Sequence, residues 1–138
     1  MNPTKVMIEA IVAAGVTDHT PLVLPSGEFT QPRVMYRNLS DDMETSISGR
    51  VRRSPTVQVE CQVWYPVRSS TAFEPDNIGN AHREMNELLA RIKENLGQSG
   101  QLLEILGEEE IHIDEDLNQA APFGSVVVGL FTASIFRN

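Results

Sequence analysis

Apolar and polar positions along the chain follow two different periods. In 56–65 (TVQVECQVWY), Val57, Val59, Cys61, Val63 and Tyr65 share one parity and Gln58, Glu60 and Gln62 the other. A period of two is that of a strand with one face on a core. Pro55 and Pro66 bracket the run, since proline lacks the N–H that a central strand gives to its ladder. Trp64 interrupts the polar parity and predicts cover for the sheet's second face, by an edge, a helix or a partner chain. Weaker alternation in 33–39 and 43–53 predicts two further strands, the second bent at Gly49, so that three consecutive strands form a meander. The final stretch 125–137 is apolar on both parities and reads as a strand buried on both faces. Gly129 within it marks a bulge or a close approach by another element.

The second period is helical. Ile78, Ala81, His82, Met85, Leu88, Leu89, Ile92 and Leu96 recur at three- and four-residue steps, which predicts a long one-sided helix over 78–96. Asp76 or Asn77 caps it and Gly97 and Gly100 stop it. A shorter helix is expected over 3–14, with Pro3 in its first turn, Asn2 as cap and Gly15 beyond its end. The link 16–32 holds Pro21, Pro25, Gly27 and Pro32, so turns are expected there, with one brief strand at Leu22–Leu24. Residues 102–106 read as a helical turn or a short strand. In 108–116, Ile111 and Ile113 alternate with Glu110, His112 and Asp114, so an extended edge segment is expected. The expected fold class is α+β: a mixed, mostly antiparallel sheet of four or five strands built from 33–39, 43–52, 56–65 and 125–137. Helix 78–96 lies across one face and helix 3–14 beside it.

Composition changes this picture little. A chain of 138 residues, 41% hydrophobic and 22% charged, suits a single domain, 1–138, with one core. No uninterrupted apolar run approaches the ~18 residues of a membrane span, so a soluble product made and used on the cytoplasmic side is expected. The net charge of −8, from 19 acidic and 11 basic residues, disfavours general binding to a phosphate backbone. The single cysteine, Cys61, lies on the apolar parity of its strand and reads as a small buried hydrophobe.

Candidate chemistry is sparse. The sequence contains no phosphate-binding glycine motif and no glycine-flanked nucleophile. His19, beside Asp18, reads as a surface-loop histidine, and His82 as a packing residue of the long helix. The run 82–87 (HREMNE) lacks the paired histidines of a zinc helix. Glu110, His112 and Asp114 share one strand face, extended by Glu108 and Asp116. Strand neighbours two apart are about 7 Å from each other, too far for three to converge on one ion without a ligand from elsewhere, so a solvated acidic face is the first reading. Arg50, Arg52 and Arg53 are the counterweight. They read as a solvated hairpin end or as one side of an interface, with Trp64 nearby and the acidic stretch of another copy opposite. No metal and no cofactor is expected.

The order of elements, carried by 32–36 (PRVMY), 49–66 (GRVRRSPTVQVECQVWYP) leading into helix 78–96, and 124–137 (GSVVVGLFTASIFR), resembles the tail-terminator and minor tail proteins of long-tailed bacteriophages. The resemblance implies a small mixed α/β unit without enzymatic activity whose copies form a hexameric ring on the end of the tail tube. It also implies partners, the tail tube protein and the head–tail connector protein, and a place in the virion tail after assembly in the host cytoplasm. In such a ring, Glu108, Glu109, Glu110, Asp114, Glu115 and Asp116 would either line an opening through which DNA passes or face the arginines of a neighbour. The alternatives are another neck or connector component, or a small enzyme or metal-binding protein using His112 with acidic neighbours.

Overall fold

The computed structural model describes residues 2–25, 27, 30–40, 43–45, 51–53, 55–67, 77–113 and 125–137. Helix α1 spans Pro3–Ala13. Its cap is the expected one, with the Asn2 side chain accepting from the Thr4 N–H at 2.8 Å. Strands β1 (His19–Pro21), β2 (Arg33–Ser40), β3 (Met43–Thr45), β4 (Val51–Arg53) and β5 (Thr56–Pro66) follow, then helix α2 (Asn77–Gln98) and strands β6 (Leu102–Ile113) and β7 (Val126–Phe136). The fold is α+β. A five-stranded sheet of order β1-β2-β5-β7-β6 is antiparallel except for the parallel β1–β2 pair, and both helices pack on one of its faces.

β5 lies mid-sheet, as its alternation implies. It pairs with β2 from Arg33↔Trp64 to Ser40↔Gln58 and with β7 along its whole length. Val57, Val59, Cys61 and Val63 face the helices and are buried beside Val127, Phe131, Ala133 and Ile135 of β7. From α2, Ala81, Met85, Leu88, Leu89, Ile92 and Leu96 close this core, and Val6, Met7, Ala10 and Ile11 of α1 complete it. Ile78, counted on the stripe, is exposed in the first helical turn; burial begins one turn later, at Ala81. Gly97 lies inside α2 rather than at its end.

On the opposite sheet face, Met35, Trp64, Val126 and Val128 form a second, smaller cluster with Leu22 and Ile113 against it. β7 is therefore buried on both faces, as its double apolar parity predicts. A polar chain crosses this same face. Trp64 Nε1–H donates to Gln62 Oε1 at 2.9 Å and Gln62 Nε2–H to Glu60 Oε1 at 3.3 Å, while Arg37 donates twice to Glu60 Oε2, at 3.0 and 2.7 Å. The buried Glu60 carboxylate is thus paired, as a charge taken out of water requires.

Three expectations are corrected. Residues 43–53 are not one bent strand between β2 and β5. β3 and β4 pair with each other, Met43↔Arg53 to Thr45↔Val51, as a separate two-stranded sheet, and β2 joins β5 directly. Gly49 lies outside the described residues. The brief strand of the link is His19–Pro21, not Leu22–Leu24. It runs parallel to β2 at the sheet's edge, where a proline at its end leaves no ladder bond broken. Of the two readings of 102–106 the strand holds and the helical turn does not, but the strand is not a short separate one: β6 runs unbroken to Ile113 and takes in the expected edge segment. Its register on β7 shifts between Leu102 and Glu104 and again between Leu106 and Glu109. Gly107, at φ +57°, supplies the left-handed backbone of the second shift.

Cys61 is fully enclosed in the core, where burial, with the Glu60 carboxylate adding to it, pushes its thiol far above the ordinary range. A thiol reagent should therefore leave the folded protein unlabelled and modify it fully in denaturant. Rapid stoichiometric labelling of the native protein, followed by mass spectrometry, would contradict this packing.

Candidate functional site

Some of the residues singled out for chemistry meet where side chains on one flank of α2, which lies over β5 and β7, reach across to the outer strand of the sheet. Beyond Gly107, β6 turns Glu108, Glu110 and His112 toward the helices, while Glu109 pairs in register with Leu130 on the other parity. α2 presents His82, Asn86 and Lys93 to this row. Their spacing of four and seven residues holds them on one flank of a helix, beside the buried stripe.

Each glutamate on the helix side has a partner. Lys93 Nζ donates to Glu108 Oε1 at 2.6 Å, Asn86 Nδ2 donates to Glu110 Oε1 at 3.3 Å, and His82 Nδ1 contacts the same Glu110 oxygen. The His112 ring stands edge-on to that of His82, with centroids 6.5 Å apart and planes at 69°. Its Nε2 is buried and accepts or donates no hydrogen bond among the described residues. Next to the cluster lies an open cleft of about 210 Å³ lined by Asn86, Leu89, Lys93, Glu108, Glu110 and Phe131, among others.

The reading of a purely solvated acidic face is therefore corrected for two of its members. Glu108 and Glu110 keep side-chain exposures of 58% and 40%, yet both are tied to α2. Exposed pairs of this kind contribute about 0–1 kcal/mol each, so their effect is to tie the flank of the helix to the edge strand more than to stabilise the fold. His82 is satisfied by a neighbouring side chain, as a packing histidine should be. His19 is not a loop residue: it lies half-buried in β1, with its Nδ1 buried and without a partner among the described residues. Asp18 pairs instead with Arg33 at 3.1 Å.

The other candidates are dispersed. Trp64 is 7% exposed within its own chain's second cluster. Arg52 and Arg53 lie on β4, in register with Glu44 and Met43. Arg50, Asp114, Glu115 and Asp116 lie outside the described residues. Among the described residues, no group of three or more His, Cys, Asp and Glu side chains is arranged to hold a metal ion, and no helix is long and apolar enough to cross a membrane.

Asn86 and Lys93 escaped notice in the sequence. The signal that could have found them is their helical spacing from His82. No protein-family model matches the sequence, and no curated protein matches it.

Proposed function

We propose that this protein is a structural component of a bacteriophage virion that closes the end of the tail tube as a hexameric ring and offers the joining surface to the head connector. The reading rests on the resemblance in element order, and one structural observation supports it. The long helix and the sheet bury each other, while a long strand at one sheet edge and a separate two-stranded ribbon, β3–β4, stand outside that packing. The copy number, the tube and connector partners, and the absence of catalysis follow from the resemblance. In such a ring a chain of net charge −8 lets DNA pass without adsorbing it, since adsorption needs lysine and arginine set against phosphates.

The test is sedimentation of the protein alone, with purified tail tubes and with purified head connectors. The expected result is a closed oligomer that forms alone or on the tubes, caps their ends in electron micrographs and then recruits connectors. Binding to connectors but never to tubes would reassign the protein to another neck component. No association in any mixture would overturn the ring.

A further inference from the structure

β6 is 12 residues long and ends the sheet, and β7 is its single partner among the described residues. A long open edge is ordinarily blunted by charged side chains, lysine above all, by proline, by bulges or by very short strands; the two register shifts of β6 leave Glu109–Ile113 as its longest regular run on β7. β6 contains no lysine and no proline. It instead exposes Leu103 at 54%, Leu106 at 37% and Ile111 at 46%, interleaved with the exposed Glu104, Glu108, Glu109 and Glu110. This edge is apolar enough to pack against something and acidic enough to select what it packs against.

The complementary element is in the same chain. β3 and β4 form a ribbon of three residue pairs outside the main sheet, and an isolated two-stranded ribbon is marginal in water. β4 brings Arg52 and Arg53 to this ribbon. The ribbon leaves the sheet where β2 ends at Ser40 and β5 begins at Thr56, whereas β6 lies two strands away from β5, beyond β7. Donor and acceptor are thus different patches of one molecule. A contact between them is head-to-tail, the class that closes into rings.

We propose that the open edge of β6 receives the β3–β4 hairpin of a second copy of this chain as an added strand, with Arg52 and Arg53 set against the glutamates of β6. Backbone pairing supplies the register and the charges supply the choice of partner. Of the two roles open to the acidic stretch, wall of a channel or contact between neighbours, the contact is favoured. Glu108 and Glu110 are already held by Lys93, His82 and Asn86 on the helix side, which leaves the outer edge and the exposed Glu104 and Glu109 for a neighbour.

The inference rests on the ring reading, and charge reversal separates the two. Arg52→Glu with Arg53→Glu, and in a second protein Glu104→Lys with Glu109→Lys, should each weaken association by about tenfold or more while leaving thermal unfolding of the subunit unchanged. Mixing the two reversed proteins should restore a ring of alternating copies, because each reversed β4 then meets a reversed β6 and each unreversed β4 an unreversed β6; the same matching is built into one chain that carries all four changes. That chain should recover the oligomer. A wild-type ring with both reversals still assembling at full strength overturns this contact and leaves the ring reading standing. Loss in each reversal without recovery in the fourfold variant overturns the pairing too. A wild-type chain that never associates, with or without tubes, overturns both.

Discussion

Gly129→Val should be among the most damaging single substitutions in this protein. Gly129 sits in β7 between Val63 of β5 and Glu110 of β6, directly beneath α2. A Cβ placed there would stand 2.2 Å from the Met85 sulfur and 2.5 Å from Leu89 Cδ1. Both neighbours are themselves buried, at 0% and 7% exposure, although Leu89 also borders the cleft next to Glu108 and Glu110. Two effects compete. A glycine inside a strand is disfavoured relative to a residue with a side chain by roughly 0.5–1 kcal/mol, which favours replacement. Overpacking a filled core costs typically about 1–3 kcal/mol and occasionally more, and here the clash wins. Alanine already brings that Cβ against both side chains, and their flexible ends give way only in part, so Gly129→Ala should itself cost about 1–3 kcal/mol. The branched side chain of valine lifts α2 from the sheet and should cost about 3 kcal/mol or more. Chemical denaturation of both variants gives the comparison, and a Met85→Ala background should shrink the alanine penalty, since the two sites are in contact. A valine variant as stable as the parent would mean that α2 does not cross β7 at this point.

How much of this was legible in the sequence depends on how each strand is buried. β5 and α2 were legible because each is covered on one side, so core contacts impose a clean period of two or 3.6. β7 was legible by the opposite sign, an apolar run on both parities, and its glycine announced the close approach. The hairpin was not. Thr45 and Val51 are paired yet six positions apart in sequence, an even step, so the alternation of Met43, Thr45 and Val51 passes through the reversal of the chain unchanged. A parity argument has no means of seeing a turn that preserves parity. β1 was missed because three residues at a sheet edge, one of them Pro21, carry no period; its place is set by parallel register with Val34, Met35 and Tyr36.

The second half of β6, up to Ile113, is the edge segment its alternation predicts; its first half was ambiguous for a different reason. Leu102 and Ile105 both pack toward the helices, three positions apart as on a helix, because the register shift near Leu102 and Glu104 sets an extra residue of β6 against β7. The same device governs the candidate site. Glu110 and His112 share a face by parity and His82 belongs to the helix stripe, but the separation of 28 positions between His82 and Glu110 is closed only by packing α2 on β5 and β7, next to the edge strand. No local pattern carries that information. The charge runs, in contrast, were fully visible, and what they lacked was the open edge and the separate ribbon that give them geometry.

Leu88→Ala should lower stability by about 2–5 kcal/mol, the usual range for truncating a buried leucine. Leu88 is 5% exposed in the middle of α2 and belongs to the helix-face core. Truncation removes apolar area from that core and leaves a void which the sheet below cannot close, because β5 and β7 are hydrogen-bonded along their whole length. Where the cost falls in the range depends on how easily water fills the gap. Leu88 also borders an open cleft with Tyr65, Val16 and Arg91, and a void joined to solvent is relieved more readily than a sealed one. Ile92, fully buried one turn further along the same helix, does not line that cleft, so Ile92→Ala should cost more than Leu88→Ala. The ordering is the discriminating result, because a helix docked in a different rotation would reverse it. Urea titration of the two variants, with equal slopes so that midpoints compare directly, decides between the two rotations. A Leu88 midpoint indistinguishable from the parent would mean that this side of α2 faces something other than its own sheet.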